Sequence, residues 1–490
     1  GYQRHIWDEQ TLGALVSKVP DEKMLLLDLA VDYNTCFWHN GVNWEFYKGF
    51  FNKPWVYSVI PNMGGKSGMT GILSFYANAH LQALKSPNKG QLTGFGMAPE
   101  GIENNEVVYE LLCDAGWSTK EIDVTAWLSD YSLCRYGKNV PGIDAFWQSM
   151  LGSVYGSFTD HPRYNWQLRP GLQQKGTINA NETFCKGVEA LAKNAMYMKG
   201  NTLFELDFRE WTAAYLGIKL EQLTQQINEA YRIGDARKAG ELEEKFVYFM
   251  QATDRLLAEH PTKDMQRWID LARSHGRNNT ALADYYEKNA RRIVTIWGPP
   301  VDDYSARIWA GLIRDYYLPR WKHYFEQQKT GVRFDFPAWE KEWVERRKGL
   351  SIVAPFPHVL QAAVRLIGEA SCISAKRRRQ EHVAGTWQPA DVSLALSTLQ
   401  WNVPAQRLRN LKGIRIETSP HEAEIEVSAI ALLADGKEYS LLKKPITVSS
   451  SALLPTTVPT NFTGNNECKL KVILRNKKQQ RISGKIEFVY

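Results

Sequence analysis

The chain has 490 residues, more than one hydrophobic core usually organises, so two to four domains are expected. Hydrophobic residues at 44% and charged residues at 23% give an ordinary globular balance, and a net charge of +7 is modest for this length. Nucleic acid is excluded as a partner because the clearest basic run, Lys376–Arg379, has no aromatic-interleaved basic stripe beside it and reads as a solvated helix end. No apolar run reaches the roughly 18 residues needed to span a membrane. The six dispersed cysteines lack metal or disulfide-scaffold spacing, and the ten histidines are equally scattered, so neither a metal site nor a cofactor is expected.

Three styles of sequence follow one another. From residue 1 to about 117, short runs apolar on both faces alternate with helical stretches, the pattern of parallel strands covered by helices. Met24–Leu29 carries a carboxylate at Asp28, Trp55–Ile60 leads into Pro61-Asn62-Met63-Gly64-Gly65, and Gly94–Pro99 ends at Glu100. In each run the polar or glycine-rich residues come at the C-terminal end, where barrel and open α/β folds place their chemistry. Gly71–Leu84 and Glu106–Ala115 read as the intervening helices. Three such units do not close an eight-stranded barrel, so the other half of the sheet is expected either upstream of Gly1 or from another chain.

Residues 118–384 are expected to form an all-α domain. Leu220, Leu223, Ile227 and Tyr231, and then Leu242, Phe246, Phe249, Thr253 and Leu256, recur at helical steps. Asn279-Thr280 starts a helix running to Ile296, stopped by Gly298-Pro299-Pro300, and Ala306–Gln327 predicts another with a kink or break at Pro319. Residues 385–490 switch to a period of two, seen in Ile425–Leu433, Leu470–Leu474 and Ile486–Tyr490, with a turn at Asp435-Gly436. A small antiparallel β-sandwich is expected there.

The candidate carboxylates at strand ends are Asp28, Asp32 and Glu100. Glu100 has the most telling setting, because Pro99 stiffens the backbone before it and Gly101 allows a sharp turn after it. Pro-Glu-Gly is also an ordinary surface turn, and spacing alone favours that reading. The abundance of aromatics, with 17 Trp and 22 Tyr, offers flat faces on which sugars stack, although a large aromatic core explains it equally well. Nucleophile-elbow, P-loop and HExxH patterns are absent.

The stretch Gly94–Leu112, GFGMAPEGIENNEVVYELL, together with Asn62–Gly65, Gly68–Gly71, Tyr285–Asn289, Ile296–Pro299, Asp303–Ala306, Ala310–Leu312 and Tyr316–Trp321, resembles glycoside hydrolase family 89, the α-N-acetylglucosaminidases. The resemblance runs from residue 1 to about 330. It implies a multidomain protein: the C-terminal half of a (β/α)8 TIM barrel in residues 1–117, a helical domain, and an appended β-sandwich outside the family pattern. It implies a retaining exo-glycosidase removing terminal α-linked N-acetylglucosamine from heparan sulfate or host glycans, with Glu100 as nucleophile. The acid/base Glu falls on an earlier barrel strand, in the N-terminal part of the same protein. Asp28, Asp32, Asn62, Trp297 and Tyr304 are implied as substrate-binding residues. Location is expected to be secreted, periplasmic or cell-surface in a bacterium, the favoured case, and lysosomal in a eukaryote.

Two departures from the family pattern are evident: Pro61 replaces a usual His, and Asp32 stands where a Glu is common. The segment Tyr33–Phe51 is also long and aromatic. These keep open a non-hydrolytic carbohydrate-binding protein on a degenerate scaffold, or action on another α-linked sugar.

Overall fold

The computed structural model describes the chain except for residues 1–3, 63, 65–68, 102–104, 159–162, 171–181, 299–301, 347–349, 375–382, 388–395, 405–407, 409–410, 412, 420–423, 436, 443, 450, 456–457, 459–466, 478–482 and 490. Lys376–Arg379, the prolines expected to stop the helix after Ile296, and all of Met63–Gly68 but Gly64 thus lie outside the described residues. The chain forms two compact units, Gly1–Ser374 and Ala375–Tyr490.

In the first unit the three apolar runs become strands β1 (Leu26–Asp28), β2 (Pro54–Val59) and β3 (Gln91–Met97). They form a parallel sheet in that order, with Asp28 beside Tyr57 and Tyr57 beside Phe95. Trp55, Tyr57 and Val59 alternate along β2 on one buried face, which short helices Leu73–Asn78 and His80–Lys85 and helix α1 (Glu106–Trp117) help to cover. The stretch expected as one helix over 71–84 is therefore two short helices after a two-residue strand. The opposite face of β1 is bare: Leu25 and Leu27 are 56% and 61% exposed.

The aromatic segment after β1 packs inward. Trp44 stacks on Trp55 at 6.5 Å between ring centroids, and Phe50 lies 5.2 Å from the same ring. Its excess of aromatic residues is largely core packing.

The helical part shares that core, so nothing separates the first unit at residue 117. Helix α2 (Thr202–Arg232) is buried on most sides, as a central helix must be, and α3 (Ala236–Leu257) packs against it after a tight turn at Gly234. Helix α4 (Thr280–Ile293) begins where expected, with the Asn279 side chain accepting from Leu282 N–H at 3.1 Å. Ala306–Gln327 is not one helix. Residues 305–309 are irregular, a π-helical turn spans Ile313–Tyr317, and α5 (Leu318–Thr330) follows with Pro319 in its first turn. Proline has no N–H to give, so the ladder widens just before it.

The second unit has two antiparallel sheets. One joins strands Lys437–Ser440, Glu424–Ala434, Glu467–Asn476 and Ser397–Pro404 in that order, with Ile446–Ser449 also on Glu424–Ala434. The other joins Ser451–Pro455, Gly413–Ser419, Ser483–Val489 and Val383–Trp387. Ile425, Val427, Leu470, Val472 and Leu474 of the first sheet share one apolar core with Ile414, Ile416, Ile486 and Phe488 of the second. The period-two pattern is thereby accounted for.

Candidate active site

Glu100 stands just past the C-terminal end of β3, where the loops after β2 and β3 remain paired beyond the strands. Ala98 N–H donates to Val59 O at 2.9 Å, and Glu100 N–H donates to Asn62 O at 2.9 Å. The following turn is pinned by Tyr109, whose hydroxyl donates to Gly101 O at 2.8 Å. The Glu100 backbone is thus fixed while its side chain is exposed at the strand mouth.

Two donors meet Glu100 Oε2. One is the backbone N–H of Gly64, from the loop after β2. The other is the Tyr304 hydroxyl at 3.1 Å, contributed by the helical part 204 residues away. Both are neutral, so they orient the carboxylate without cancelling its charge as a guanidinium would. Among the described residues both bonds fall on the same oxygen.

Trp297 packs on Tyr304, with ring centroids 5.1 Å apart, and is partly exposed. Its backbone is in the left-handed region at φ +43°, held by Arg292: Trp297 N–H donates to Arg292 O at 2.8 Å and Arg292 Nε to Trp297 O at 2.7 Å. Asp303 also has φ +56°. Strained backbone on bulky or buried residues persists only where the surroundings enforce it, and it clusters at functional sites.

Not every carboxylate expected here takes part. Asp32 is wholly buried, with Oδ1 accepting from Ile60 N–H at 3.0 Å and Oδ2 from the Tyr76 hydroxyl at 3.1 Å. It holds the end of β2 from below, so its expected contact with a sugar is replaced by a structural role. Burial lifts its carboxyl to about 6 despite those bonds. Asp28 is also buried; Asn43 Nδ2 donates to its Oδ1 at 2.8 Å, Oδ2 has no hydrogen-bond partner among the described residues, and burial raises this carboxyl to about 6 as well. Neither is hydrogen-bonded to Glu100. Asn62 is buried and braces the Glu100 loop, through its carbonyl and through a long 3.4 Å bond from Nδ2 to Gly101 O.

Arg307 and Ser305 went unnoticed as site residues in the sequence. Ser305 Oγ donates to Gly64 O at 2.5 Å and Arg307 Nη1 to the same oxygen at 2.8 Å. Ser305 belongs to the Asp303–Ala306 motif, but an arginine whose partner is a distant backbone carbonyl leaves no spacing signal. No cluster of His, Cys, Asp and Glu able to hold a metal occurs among the described residues, and no described helix is long and apolar enough to cross a membrane.

Comparison with known proteins shows what the chain is similar to. The "alpha-N-acetylglucosaminidase (NAGLU) tim-barrel domain" family matches residues 1–119, and the corresponding C-terminal domain family matches residues 127–365. The human alpha-N-acetylglucosaminidase is 29% identical over 349 residues, covering 69% of this chain and 45% of the human protein. A family 89 glycoside hydrolase from Clostridium perfringens, bound to a 2-acetamido-dideoxynojirimycin, superposes with a TM-score of 0.67 at 24% identity, over 76% of this chain and 44% of that one. A form of the C. perfringens enzyme with two glutamates changed to glutamine, bound to GlcNAc-alpha-1,4-galactose, gives 0.66 at 25% identity, over 74% and 43%. The chain thus spans about half the length of the relatives it matches. With both domain families matched in order and the same fold in both structures, the chain belongs to the α-N-acetylglucosaminidase family, glycoside hydrolase family 89.

Proposed function

We propose that the protein of which this chain is part is a retaining exo-glycosidase that removes terminal α-linked N-acetylglucosamine, with Glu100 as its nucleophile. The observation that carries this reading is the Glu100 carboxylate at the strand mouth, oriented by the Gly64 N–H and the Tyr304 hydroxyl and making no ion pair among the described residues. The 2-acetamido group of an α-linked sugar lies cis to the leaving oxygen, so it cannot attack the anomeric carbon from the opposite face. The enzyme must supply that attack. A Glu100 oxygen bonds to C1 as the glycosidic C–O bond breaks, and an acid partner protonates the leaving oxygen. Water then displaces Glu100 from C1, giving its proton to the same partner and restoring both groups.

Retention calls for the two carboxyls to lie about 5–5.5 Å apart. Asp28 and Asp32 are bound elsewhere, so we assign the acid/base carboxylate to the N-terminal part of the same protein. The parallel sheet supports this: among the described residues it has three strands where a barrel has eight, and Leu25 and Leu27 lie bare on one face. On this reading residues 1–117 end a catalytic barrel, residues 118–384 form the helical wall that brings Tyr304 and Trp297, and residues 385–490 are an accessory β-sandwich. Trp297 and Tyr304 form one wall of the sugar pocket, with Asn62 at its floor.

The test is hydrolysis of an aryl α-N-acetylglucosaminide by the complete protein beside Glu100→Ala and Glu100→Gln, with the anomer released followed by NMR. Loss of turnover in both variants and an α product in the wild type are expected. Full activity in both variants removes Glu100 from the role, and a β product removes retention.

A further inference from the structure

We propose that Arg307, assisted by Ser305, is a positioning residue that sets the nucleophile through Gly64. The proposal rests on the reading of Glu100 as nucleophile and deepens it. Gly64 is a single residue held at both of its flanking peptide groups. Its N–H donates to Glu100 Oε2, while its carbonyl accepts from Ser305 Oγ and from Arg307 Nη1. Arg307 Nη1 also donates to Ser305 Oγ at 2.9 Å and to Ser305 O at 3.1 Å, so guanidinium, hydroxyl and carbonyl form one buried cluster.

The clamp is anchored in the helical part. Arg307 is buried; its backbone N–H donates to the Tyr317 hydroxyl at 3.2 Å, and its guanidinium lies 5.4 Å from the Trp309 ring centroid. Gly64 itself has φ +75°, a left-handed conformation that glycine adopts freely and that side chains resist. The two contacts fall on the two peptide groups that flank the Gly64 Cα, so fixing the carbonyl fixes the direction in which the N–H points. A buried arginine thereby acts on a group at the strand mouth without touching substrate.

The consequence is kinetic. A group that fixes the nucleophile affects the reacting geometry, not the grip on the sugar. Misplacing a reacting atom by about 1 Å costs up to about a hundredfold in rate. In the complete protein, Arg307→Ala should therefore lower kcat about 10- to 100-fold with KM changed less than about threefold. Nη1 makes the contact with the Gly64 carbonyl, so the single ammonium of Arg307→Lys should recover most of the loss. Ser305→Ala, a mild change that removes the second donor, should lower kcat about three- to tenfold, again with KM held.

The experiment measures kcat and KM for these three variants and for Glu100→Gln on an aryl α-N-acetylglucosaminide, with melting curves to compare folded fractions. A fall in kcat at constant KM, with rescue by Lys, supports the clamp. An inactive Glu100→Gln beside unchanged kcat in Arg307→Lys and Ser305→Ala overturns the clamp and leaves the nucleophile standing. Losses that follow the folded fraction alone, without rescue by Lys, also overturn it. An active Glu100→Gln overturns the reading of Glu100, and the clamp falls with it.

Discussion

Two carboxylates stand at either end of one short stretch of contacts and are treated in opposite ways. Glu100 is exposed, and among the described residues it meets neutral donors, the Gly64 N–H and the Tyr304 hydroxyl. Asp303, next to Tyr304 in the chain, is buried and bound by Arg320 Nη1 at 3.0 Å and by Arg169 N–H at 3.1 Å. Arg320 also reaches Glu340 at 2.9 Å and lies over the Tyr316 ring. Burial opposes the charge on Arg320, but the Asp303 and Glu340 carboxylates prevail and hold the guanidinium protonated well above its ordinary range. An ion-paired carboxylate is poor at attacking anything, whereas a carboxylate oriented by neutral donors keeps its lone pairs available. The second cluster serves the first: it locks the segment that presents Tyr304, Ser305 and Arg307.

The comparison breaks most sharply at Glu100. Glu100→Gln should lower kcat/KM about ten-thousandfold or more while leaving the melting temperature nearly unchanged, because the side chain is exposed and its removal uncovers no buried charge. A melting temperature that collapses with activity would make Glu100 a structural residue like Asp303. Arg320→Met tests the opposite pole. Removing one partner of a buried cluster strands the others, so stability should fall by about 3–5 kcal/mol, read as an earlier denaturation midpoint. An unchanged midpoint would mean that the cluster locks nothing.

A smaller effect comes from Asp28, which is buried like Asp303 but makes no ion pair among the described residues. Its folded carboxyl titrates at about 6, against an ordinary value of 3.8. Between those values the folded state holds a proton that the unfolded chain has released, so stability falls as pH climbs through this window. The penalty is complete above pH 6 and amounts to at most about 3 kcal/mol. Denaturation midpoints at pH 4.5 and 7 should therefore lie closer together in Asp28→Asn than in the wild type. Asp32, raised by burial in the same sense, keeps part of the slope in both. An identical slope in wild type and variant would show that Asp28 does not titrate as described. Smallest is Tyr304→Phe, which removes one hydrogen bond to a charged group and should lower kcat about tenfold without moving the midpoint.

Much of this was legible in the sequence, and what was not has a common cause. Asp28 and Glu100 could be found because each follows an apolar run, and the end of a parallel strand is a place, whatever surrounds it. Tyr304 and Trp297 came from the resemblance, not from periodicity, since both sit in irregular backbone. Asp32 looked like a site residue because its enclosure depends on Ile60 and Tyr76, 28 and 44 positions on. Arg307 was invisible for the same reason, its partner being a carbonyl 243 positions away. The aromatic stretch Tyr33–Phe51 read as a departure from the family and turned out to fill the core around Trp55. Local signals locate elements and strand ends; which polar group is enclosed and which is left open is decided by contacts distant in the chain.

The central claim is that a covalent bond forms between the anomeric carbon and Glu100. Treating the complete protein with a 5-fluoro α-N-acetylglucosaminyl fluoride, which slows release of a glycosyl-enzyme, and mapping the labelled peptide by mass spectrometry tests it most directly. The expected result is one added sugar on the peptide carrying Glu100; a label on any other carboxylate, or turnover with inversion and no label, would contradict it.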